Sequence, residues 1–232
     1  MSVYAISDLH LALSVDKPMD VFGEKWDNYM ERLQKNWNDK ISKDDYVIMP
    51  GDLSWATYIE DAHLDFDFIH KLNGKKIISK GNHDYWWTTM SKLEKYVDKN
   101  DFSSIQFINN NSVQVEDLVI CATRGWKCPN DDDFTKEDEK IYAREVQRLK
   151  LSLESAKNKE GKKYVMIHFP PFNSKKEMNE LIELMNTYGV ENCLYGHLHG
   201  ISLKNPFEGN LYGVNFKLIS ADYLKFMPIK IN

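Results

Sequence analysis

The segment VYAISDLH, at residues 3–10, shows the pattern from which the fold can be predicted. Four mostly apolar residues, Val3 to Ile6, are typical of a short buried strand, and Asp8 and His10 follow where that strand ends. Because side chains two residues apart in an extended segment project to the same side, Asp8 and His10 can grip one ion. The segment therefore predicts a strand that delivers a pair of ligands at its carboxyl end.

The same arrangement recurs four more times along the chain. Short apolar runs at 46–49, 76–79, 164–167 and 193–195 each stop at a cluster of Asp, Asn or His. These clusters contain Asp52; Asn82, His83 and Asp84; His168; and His197 with His199. Helical patterns separate the strands, so we expect right-handed crossovers and mainly parallel pairing. In such sheets ligands bind beyond the carboxyl ends of the strands, where all five clusters would meet.

Shorter alternating segments complete the predicted fold. They lie at residues 105–107, 112–115, 118–122, 211–219 and 225–231, and they alternate in the manner of antiparallel strands. With the parallel runs and the helices, they indicate an α/β protein with two packed mixed sheets and helices outside, a four-layer α-β-β-α sandwich. No linker rich in Pro, Gly or Ser divides the chain, so residues 1–232 are predicted to form one domain.

Composition and charge narrow the class of protein. Of the 232 residues, 42% are hydrophobic and 28% are charged, which is ordinary for a globular protein without a long disordered tail. The formal charge of -5 mildly disfavours a nucleic-acid partner. Three cysteines without a close pair indicate neither a disulfide framework nor a cysteine-rich zinc site. No signal peptide or membrane span is visible, so we expect a cytoplasmic protein without a membrane partner.

Seven side chains at the strand ends are candidate metal ligands. They are Asp8, His10, Asp52, Asn82, His168, His197 and His199. Seven ligands are too many for one open catalytic ion and suit two, and mixed carboxylate and imidazole donors suit manganese, iron or zinc. Two such ions, about 3.5–4 Å apart, hold a deprotonated water and stabilise in-line displacement at phosphorus. A histidine in isolation is more often structural, so the prediction depends on the whole set.

The ordered motifs resemble the signature of calcineurin-like metallophosphoesterases. They read Asp-x-His, Gly-Asp, Gly-Asn-His-Asp, a single strand-end His and Gly-His-x-His, and they span most of the chain. The resemblance implies the following ligand sets: Asp8, His10 and His199 on one metal, Asn82, His168 and His197 on the other, and Asp52 between them. It also implies that His83 faces the substrate as the general acid, which protonates the leaving oxygen or holds the phosphoryl group.

The chain departs from several well-known branches of this superfamily. Serine/threonine protein phosphatases carry Gly-Asp-x-x-Asp-Arg-Gly at the second motif, whereas this chain has GDLSWAT at residues 51–57. The phosphate-holding Arg and the Asp that orients the catalytic His are both missing, which makes Asp84 the nearest candidate to orient His83. Purple acid phosphatases place a Tyr ligand where Trp55 stands, and lipid A pathway hydrolases replace His83 by Arg. What remains resembles uncharacterised bacterial-type phosphohydrolases, near the cyclic nucleotide phosphodiesterases.

The expected reaction is hydrolysis of a small phosphomonoester or phosphodiester by a metal-bridging hydroxide. The alternatives are a metal-dependent nuclease or a cyclic nucleotide phosphodiesterase, and a non-catalytic protein-binding scaffold is least favoured because no ligand is lost. The long connection from about Arg124 to Lys140 is the expected source of selectivity. Within it, Arg124 and Trp126 are candidate substrate-binding residues. The alternative interpretations are a surface ion pair for Arg124 and core packing for some of the tryptophans.

Overall fold

The computed structural model describes residues 1–204 and 206–232. Within these ranges the chain forms five α-helices: α1 (Tyr29–Lys40), α2 (His63–Lys71), α3 (Met90–Lys99), α4 (Lys136–Glu154) and α5 (Glu180–Thr187). The strands are β1 (Val3–Ala5), β2 (Tyr46–Met49), β3 (Lys75–Ile78), β4 (Ile105–Phe107), β5 (Ser112–Val115), β6 (Leu118–Thr123), β7 (Lys162–Ile167), β8 (Val190–Tyr195), β9 (Gly209–Leu211), β10 (Val214–Leu218) and β11 (Ile229–Lys230). Three 3₁₀ segments lie at Met19–Phe22, Glu24–Trp26 and Gly200–Lys204.

Two mixed sheets form the centre of the molecule. The first has the order β11-β1-β2-β3-β4, in which only β11 runs antiparallel to its neighbour. The second has the order β5-β6-β7-β8-β10-β9, with four parallel strands inside and the antiparallel strands β5 and β9 at its edges. The predicted α/β class with two mixed sheets is confirmed.

Three apolar clusters show how the layers pack. One joins the first sheet to α1, α2 and α3, through residues such as Leu33, Phe66 and Leu93. Another joins the second sheet to α4 and α5, through Leu149 and Ile182. The third lies between the sheets and combines side chains of both. Helices therefore cover the two outer faces, in the predicted α-β-β-α order.

Three segments predicted to be antiparallel have a parallel neighbour. Strand β4 runs parallel to β3, while β6 and β10 run parallel to β7 and β8 and antiparallel to their hairpin partners β5 and β9. In β4 and β10 the alternation arises because Gln106, Asn215 and Lys217 are exposed, whereas β6 is buried throughout. Alternation therefore indicates a half-exposed strand at most, and strand direction is set by the crossover connections.

The carboxyl ends of the two sheets are joined by backbone hydrogen bonds. The amide of Ser7, just after β1, donates to the Ile219 carbonyl just after β10, at 2.9 Å. The amide of Asp8 donates to the Gly51 carbonyl after β2, at 3.0 Å. These bonds bring residues that follow β1 and β2 of the first sheet and β10 of the second to one edge of the sandwich.

Candidate metal centre

The structure brings together the first predicted ligand set. Donor atoms of Asp8, His10 and His199 all lie within 4.8 Å of one another. His199 Nε2 is 3.0 Å from Asp8 Oδ1 and 3.3 Å from His10 Nε2. Asp8 is fully buried and His10 nearly so, while the side chain of His199 is 26% exposed. Three donors thus converge from the loops that follow β1 and β8.

The second predicted set also converges. Asn82 Oδ1 lies 2.7 Å from His168 Nε2 and 2.8 Å from His197 Nδ1. The two ring nitrogens, His197 Nδ1 and His168 Nε2, are 3.3 Å apart. These three side chains follow β3, β7 and β8, so both sheets contribute to this group.

Asp52 lies between the two sets. Its Oδ2 is 3.3 Å from His168 Nε2 and 3.9 Å from His10 Nε2. Asp8, Asp52 and His168 form a second cluster whose donor atoms lie within 4.8 Å of one another. One carboxylate oxygen therefore faces a histidine of each set, which is the position that a bridging ligand requires.

The outer hydrogen bonds of the rings fit metal ligation. His168 Nδ1 is 3.0 Å from the Pro50 carbonyl, and His199 Nδ1 is 2.9 Å from Asp222 Oδ1. When Nδ1 carries the proton for such a bond, the lone pair of Nε2 is free to face a cation, the usual arrangement of metal-binding histidines. Mixed oxygen and imidazole donors suit a divalent transition metal. The residues present therefore fit two divalent ions.

The electrostatics of the centre also favour a cation. Burial alone would lower the pKa of His168, but the nearby Asp52 and Asp8 carboxylates raise it to about 9. Burial would likewise raise the pKa of Asp52, but His168 lowers it to about 2. In His199, Asp8 and Asp222 overcome the effect of burial and raise the pKa to about 10. The buried carboxylates thus stabilise positive charge at the same points where ions would lie.

The backbone of this centre is held in an unusual conformation. Asp8, His10, Asp52 and His197 have positive φ angles of 60°, 48°, 52° and 72°. Each such angle costs a non-glycine residue about 1–2 kcal/mol, and strain of this kind concentrates at functional sites. The surrounding fold stabilises the strained turns, which aim the ligand side chains inward.

Two motif glycines allow the carboxylates to approach closely. A Cβ atom at Gly81 would overlap the Asp52 carboxylate, and one at Gly196 would overlap the Asp8 carboxylate. The glycines of the Gly-Asn-His-Asp and Gly-His-x-His motifs thus have a packing role. Because they lack a Cβ atom, neighbouring strand ends approach closely enough for their candidate metal ligands to lie side by side.

His83 stands beside the ligand cluster. Its backbone N–H donates to Asp52 Oδ1 at 2.8 Å, and its half-buried ring lies 4.5 Å from the ring of Trp55. Burial lowers the pKa of His83. Among the described residues, none accepts or donates a hydrogen bond at its Nδ1. The ring also lines a pocket beside the candidate ligands, which is consistent with the substrate-facing role that its motif implies.

Asp84 is not brought to the His83 ring. Its buried carboxylate accepts hydrogen bonds from four groups: the backbone N–H groups of Asp52, Leu53 and Gly81 at 2.7–2.9 Å, and the Trp86 indole at 3.1 Å. Burial, followed by the charge of Asp52, raises the pKa of Asp84 to about 7. These contacts favour a structural role, in which Asp84 fixes the two metal-binding turns to each other.

Arg124 and Trp126 lie beside α4. Arg124 Nη2 is 3.2 Å from Glu145 Oε1, and its guanidinium stacks 4.7 Å from the centre of the Trp126 ring. The Trp126 indole donates to Asp138 at 2.8 Å. The Arg124 carbonyl accepts from the backbone N–H of His168 at 3.0 Å, which places this residue next to the ligand cluster. A role of either side chain in substrate binding stays a prediction.

Asp222 was not foreseen from the sequence. Its contact with His199 places it directly behind a candidate ligand, and Ser220 donates to Asp8 at 3.2 Å. Both residues belong to Ser220-Ala221-Asp222, a polar cluster that follows an apolar strand, as in the five predicted clusters. The same strand-end signal, applied past His199, would have identified it.

An apolar pocket opens directly onto the candidate ligands. Its volume is about 370 Å³, and it is lined by His10, His199, His83, Trp55, Met19, Phe22, Trp26 and Gly200. Trp55 stacks on His10 in this lining, with ring centres 4.9 Å apart. The 3₁₀ segments at Met19–Phe22 and Glu24–Trp26 supply Met19, Phe22 and Trp26 to the lining. The site therefore combines a polar, ligand-rich base with aromatic sides.

Comparison with known proteins is consistent with this geometry. The calcineurin-like phosphoesterase family matches residues 1–200. No curated protein matches the chain. Among solved structures, TT1561 of Thermus thermophilus is similar at 12% identity and a TM-score of 0.58, with 99% of this chain and 97% of that one covered. The phosphopantetheinyl hydrolase of Mycobacterium tuberculosis is similar at 14% identity and a TM-score of 0.57, covering 99% and 95%.

A protein of unknown function from Aquifex aeolicus, AQ665, is similar at 16% identity and a TM-score of 0.53, again covering 99% and 95%. At these identities the structural neighbours show the fold alone. None of the described helices combines the length and apolar character needed to cross a bilayer.

Proposed function

The chain belongs to the calcineurin-like phosphoesterase family, and on that premise we propose that it hydrolyses a phosphomonoester or phosphodiester with two divalent metal ions. Membership in the family supports metal-dependent hydrolysis of phosphoesters in general. The proposal adds the number of ions, the residues that hold them and the organic group of the substrate.

The position of Asp52 carries the two-metal proposal. Its Oδ2 faces His10 on one side and His168 on the other, at 3.9 and 3.3 Å. A carboxylate between two clusters of neutral and anionic donors is the arrangement in which one oxygen bridges two ions. In the proposed site, Asp8, His10 and His199 hold one ion, and Asn82, His168 and His197 hold the other.

Ions bound there would activate a water molecule at neutral pH and withdraw charge from the phosphate oxygens. The chain itself supplies the orientation and the proton. Asp222 and the Pro50 carbonyl fix the rings of His199 and His168 by hydrogen bonds at Nδ1. His83, beside Asp52, is placed to protonate the leaving oxygen or to stabilise charge on the phosphoryl group.

The organic group of the substrate would occupy the apolar pocket. Trp55, Trp26 and Phe22 present aromatic surfaces within a volume of about 370 Å³, next to His83 and the candidate ligands. Pockets that combine apolar walls with a few polar groups are typical of small-molecule sites. We therefore favour a small phosphoester that carries an aromatic or otherwise flat apolar group.

The test uses purified protein that is depleted of metal and then reconstituted separately with manganese, iron or zinc. Activity is measured on aryl and alkyl monoesters, diesters, cyclic nucleotides and single-stranded DNA. We expect activity only with divalent ions and a preference for small aryl or nucleoside esters. Activity that survives complete metal removal would contradict the proposal, and a preference for long single-stranded DNA would favour the nuclease alternative.

A further inference from the structure

A second pocket, of about 350 Å³, lies at the carboxyl ends of β3 and β6. It is lined by the cations Lys80, Arg124 and Arg148, by one carboxylate, Glu145, and by polar side chains that include Asn109 and Asn110. Three cations thus face a single carboxylate, which leaves an excess of two positive charges. This pocket is distinct from the apolar pocket beside His10.

Glu145 holds the two arginines in place. Its fully buried carboxylate accepts from Arg148 Nη1 at 2.6 Å and from Arg124 Nη2 at 3.2 Å, both at Oε1. Its other oxygen accepts from Thr123 Oγ1 at 2.8 Å and from the Gly125 N–H at 3.2 Å. The carboxylate is therefore saturated by four donors, and it fixes the two guanidinium groups side by side.

Most donors of the two guanidinium groups have no hydrogen-bond partner among the described residues. Each guanidinium carries five N–H donors, and Glu145 takes one from each. Arg124 Nε is buried without a hydrogen-bond partner in the part of the chain that the structure describes. The cations are therefore only partly compensated by the protein, and paired guanidinium groups match the oxygens of a phosphate.

The pocket is close to the candidate metal centre. Lys80 precedes the candidate ligand Asn82 by two residues, so their Cα atoms are at most about 7 Å apart. The Arg124 carbonyl accepts from the backbone N–H of His168 at 3.0 Å. The pocket and the candidate metal centre are therefore neighbours at the same edge of the sandwich.

We propose that this pocket binds a second phosphate group of the substrate while the phosphate to be cleaved lies at the metal centre. The inference rests on the proposed function and narrows its substrate class to molecules with two anionic groups. Arg124 and Arg148 would contact the second phosphate as specificity residues, and Glu145 would position them.

The first test compares alkanediol bisphosphates of two to six carbons with the monoalkyl phosphates of the same length. Hydrogen bonds to a charged group contribute about 1.5–3 kcal/mol, so kcat/KM should favour the bisphosphate by about tenfold to a hundredfold at the best length. In Arg148→Gln and in Lys80→Gln this ratio should fall toward one. The ratio is taken within each variant, so differences in metal loading cancel. Carboxyalkyl phosphates of equal length are tested in parallel. They distinguish a pocket that is specific for phosphate from one that accepts a carboxylate equally well.

Arg144→Gln is the matched control, because Arg144 is exposed on the same helix one turn earlier and does not line the pocket. Its ratio should equal that of the wild type. No preference for any bisphosphate, or a preference that persists in both Arg148→Gln and Lys80→Gln, would overturn the inference. Hydrolysis of monoalkyl phosphates by the same wild-type preparation shows separately whether the proposed function holds.

A second readout does not depend on turnover. Crystals of the metal-loaded protein are soaked in tungstate, and the anomalous signal of tungsten is mapped. We expect a tungstate between Arg124 and Arg148 in the wild type and in Arg144→Gln, with none there in Arg148→Gln. Tungstate at the metal centre alone would contradict the second subsite. Density that persists between the two positions in Arg148→Gln would be an adventitious ion only and would also contradict it.

Discussion

The side chain of His83 lines the apolar pocket, and its buried Nδ1 has no hydrogen-bond partner within the described residues. Its backbone is held by Asp52, and its ring lies against Trp55 within the lining of that pocket. A ring placed in this way can reach a leaving group. Its contribution should therefore depend on how basic that leaving group is.

Replacing His83 by Ala should lower kcat/KM most for alkyl phosphates. General acid catalysis contributes about 10²–10⁴-fold, so we expect a loss of that size on an alkyl ester and a clearly smaller loss on p-nitrophenyl phosphate, with metal content unchanged. His63→Ala, at an exposed histidine of α2, serves as the control and should retain wild-type rates. Equal losses on both esters would show instead that His83 stabilises the phosphoryl oxygens.

Asp84 should behave as a structural residue. In Asp84→Asn, an amide nitrogen replaces one oxygen that accepts from backbone N–H groups, so a buried donor is left facing another donor. We expect the free energy of unfolding to fall by about 1–3 kcal/mol in chemical denaturation, and kcat/KM to change by the same factor for alkyl and aryl esters. A selective loss on alkyl esters would instead support the role of orienting His83 that the sequence indicated.

Among the secondary elements, the 3₁₀ segment Met19–Phe22 sets one wall of the apolar pocket. Phe22 is 64% exposed yet lines the pocket, whereas the adjacent Val21 is 71% exposed and does not line it. An exposed phenylalanine beside the candidate metal centre is well placed to cover an apolar group of a bound substrate.

Phe22→Ala should reduce the preference for aryl over methyl phosphate esters, because the change removes only an apolar contact with the substrate. The loss of one buried aromatic contact corresponds to about fivefold to tenfold in the ratio of kcat/KM values. Val21→Ala is the control and should leave this ratio unchanged. If both variants retain the wild-type ratio, the organic group lies elsewhere.

Strand β3 carries a buried lysine whose titration should be visible in stability. Burial lowers the pKa of Lys76 from 10.5 to about 7, while its ammonium donates to the Leu72 and His70 carbonyls. A lysine with a lower pKa in the folded state binds fewer protons when folded. The free energy of unfolding should therefore rise between pH 7 and 10, by at most about 1.4 kcal/mol per pH unit.

Lys76→Met should remove this part of the pH dependence and stabilise the protein more at pH 7 than at pH 10. Denaturant unfolding at both pH values measures the effect, and Lys75→Met, at the exposed neighbour, is the control. An identical pH dependence in the wild type and Lys76→Met would mean that the carbonyl contacts keep Lys76 charged.

At the scale of elements, the sequence indicated strands wherever an apolar run ended in polar residues. That signal located β1, β2, β3, β7 and β8 to within a few residues, because parallel strands buried on both faces read as apolar runs. The alternation at residues 105–107, 118–122 and 211–219 predicted antiparallel pairing, whereas β4, β6 and β10 each have a parallel neighbour, because alternation does not fix strand direction. The 3₁₀ segments before α1 have no comparable periodicity, so the wall formed by Met19 and Phe22 could not be predicted.

At the scale of the whole molecule, the candidate site exists because two sheets meet at one edge. The ligands of each proposed ion come from strands of both sheets, and the cluster between the sheets joins Val3 and Ile48 of one to Ile120 and Met166 of the other. The seven candidate ligands could be predicted because each follows an apolar strand. Glu145 could not, because a carboxylate in the middle of α4 resembles an ordinary exposed helical residue until the tertiary contact with Arg124 is known.

The same architecture predicts that the ions and the fold stabilise each other. Ions that bind only the folded chain add about 2.7 kcal/mol to the free energy of unfolding at a hundredfold excess over the dissociation constant. Metal removal should therefore lower the midpoint of thermal unfolding, since the buried carboxylates lose their compensating charge. Unchanged unfolding after chelation would show that no ion is bound at the junction of the sheets.

The number of metal ions per chain tests the central claim most directly. Elemental analysis of metal-reconstituted wild type should give two divalent ions, and His199→Ala should lose one of them. Asp52→Ala should lose more metal than any other single ligand change, because it opens both sites at once, while Asp61→Ala, an exposed residue of the same connection, should keep two ions. An active wild type with a single ion per chain, or an Asp52→Ala variant that retains two ions and full activity, would contradict the dinuclear site.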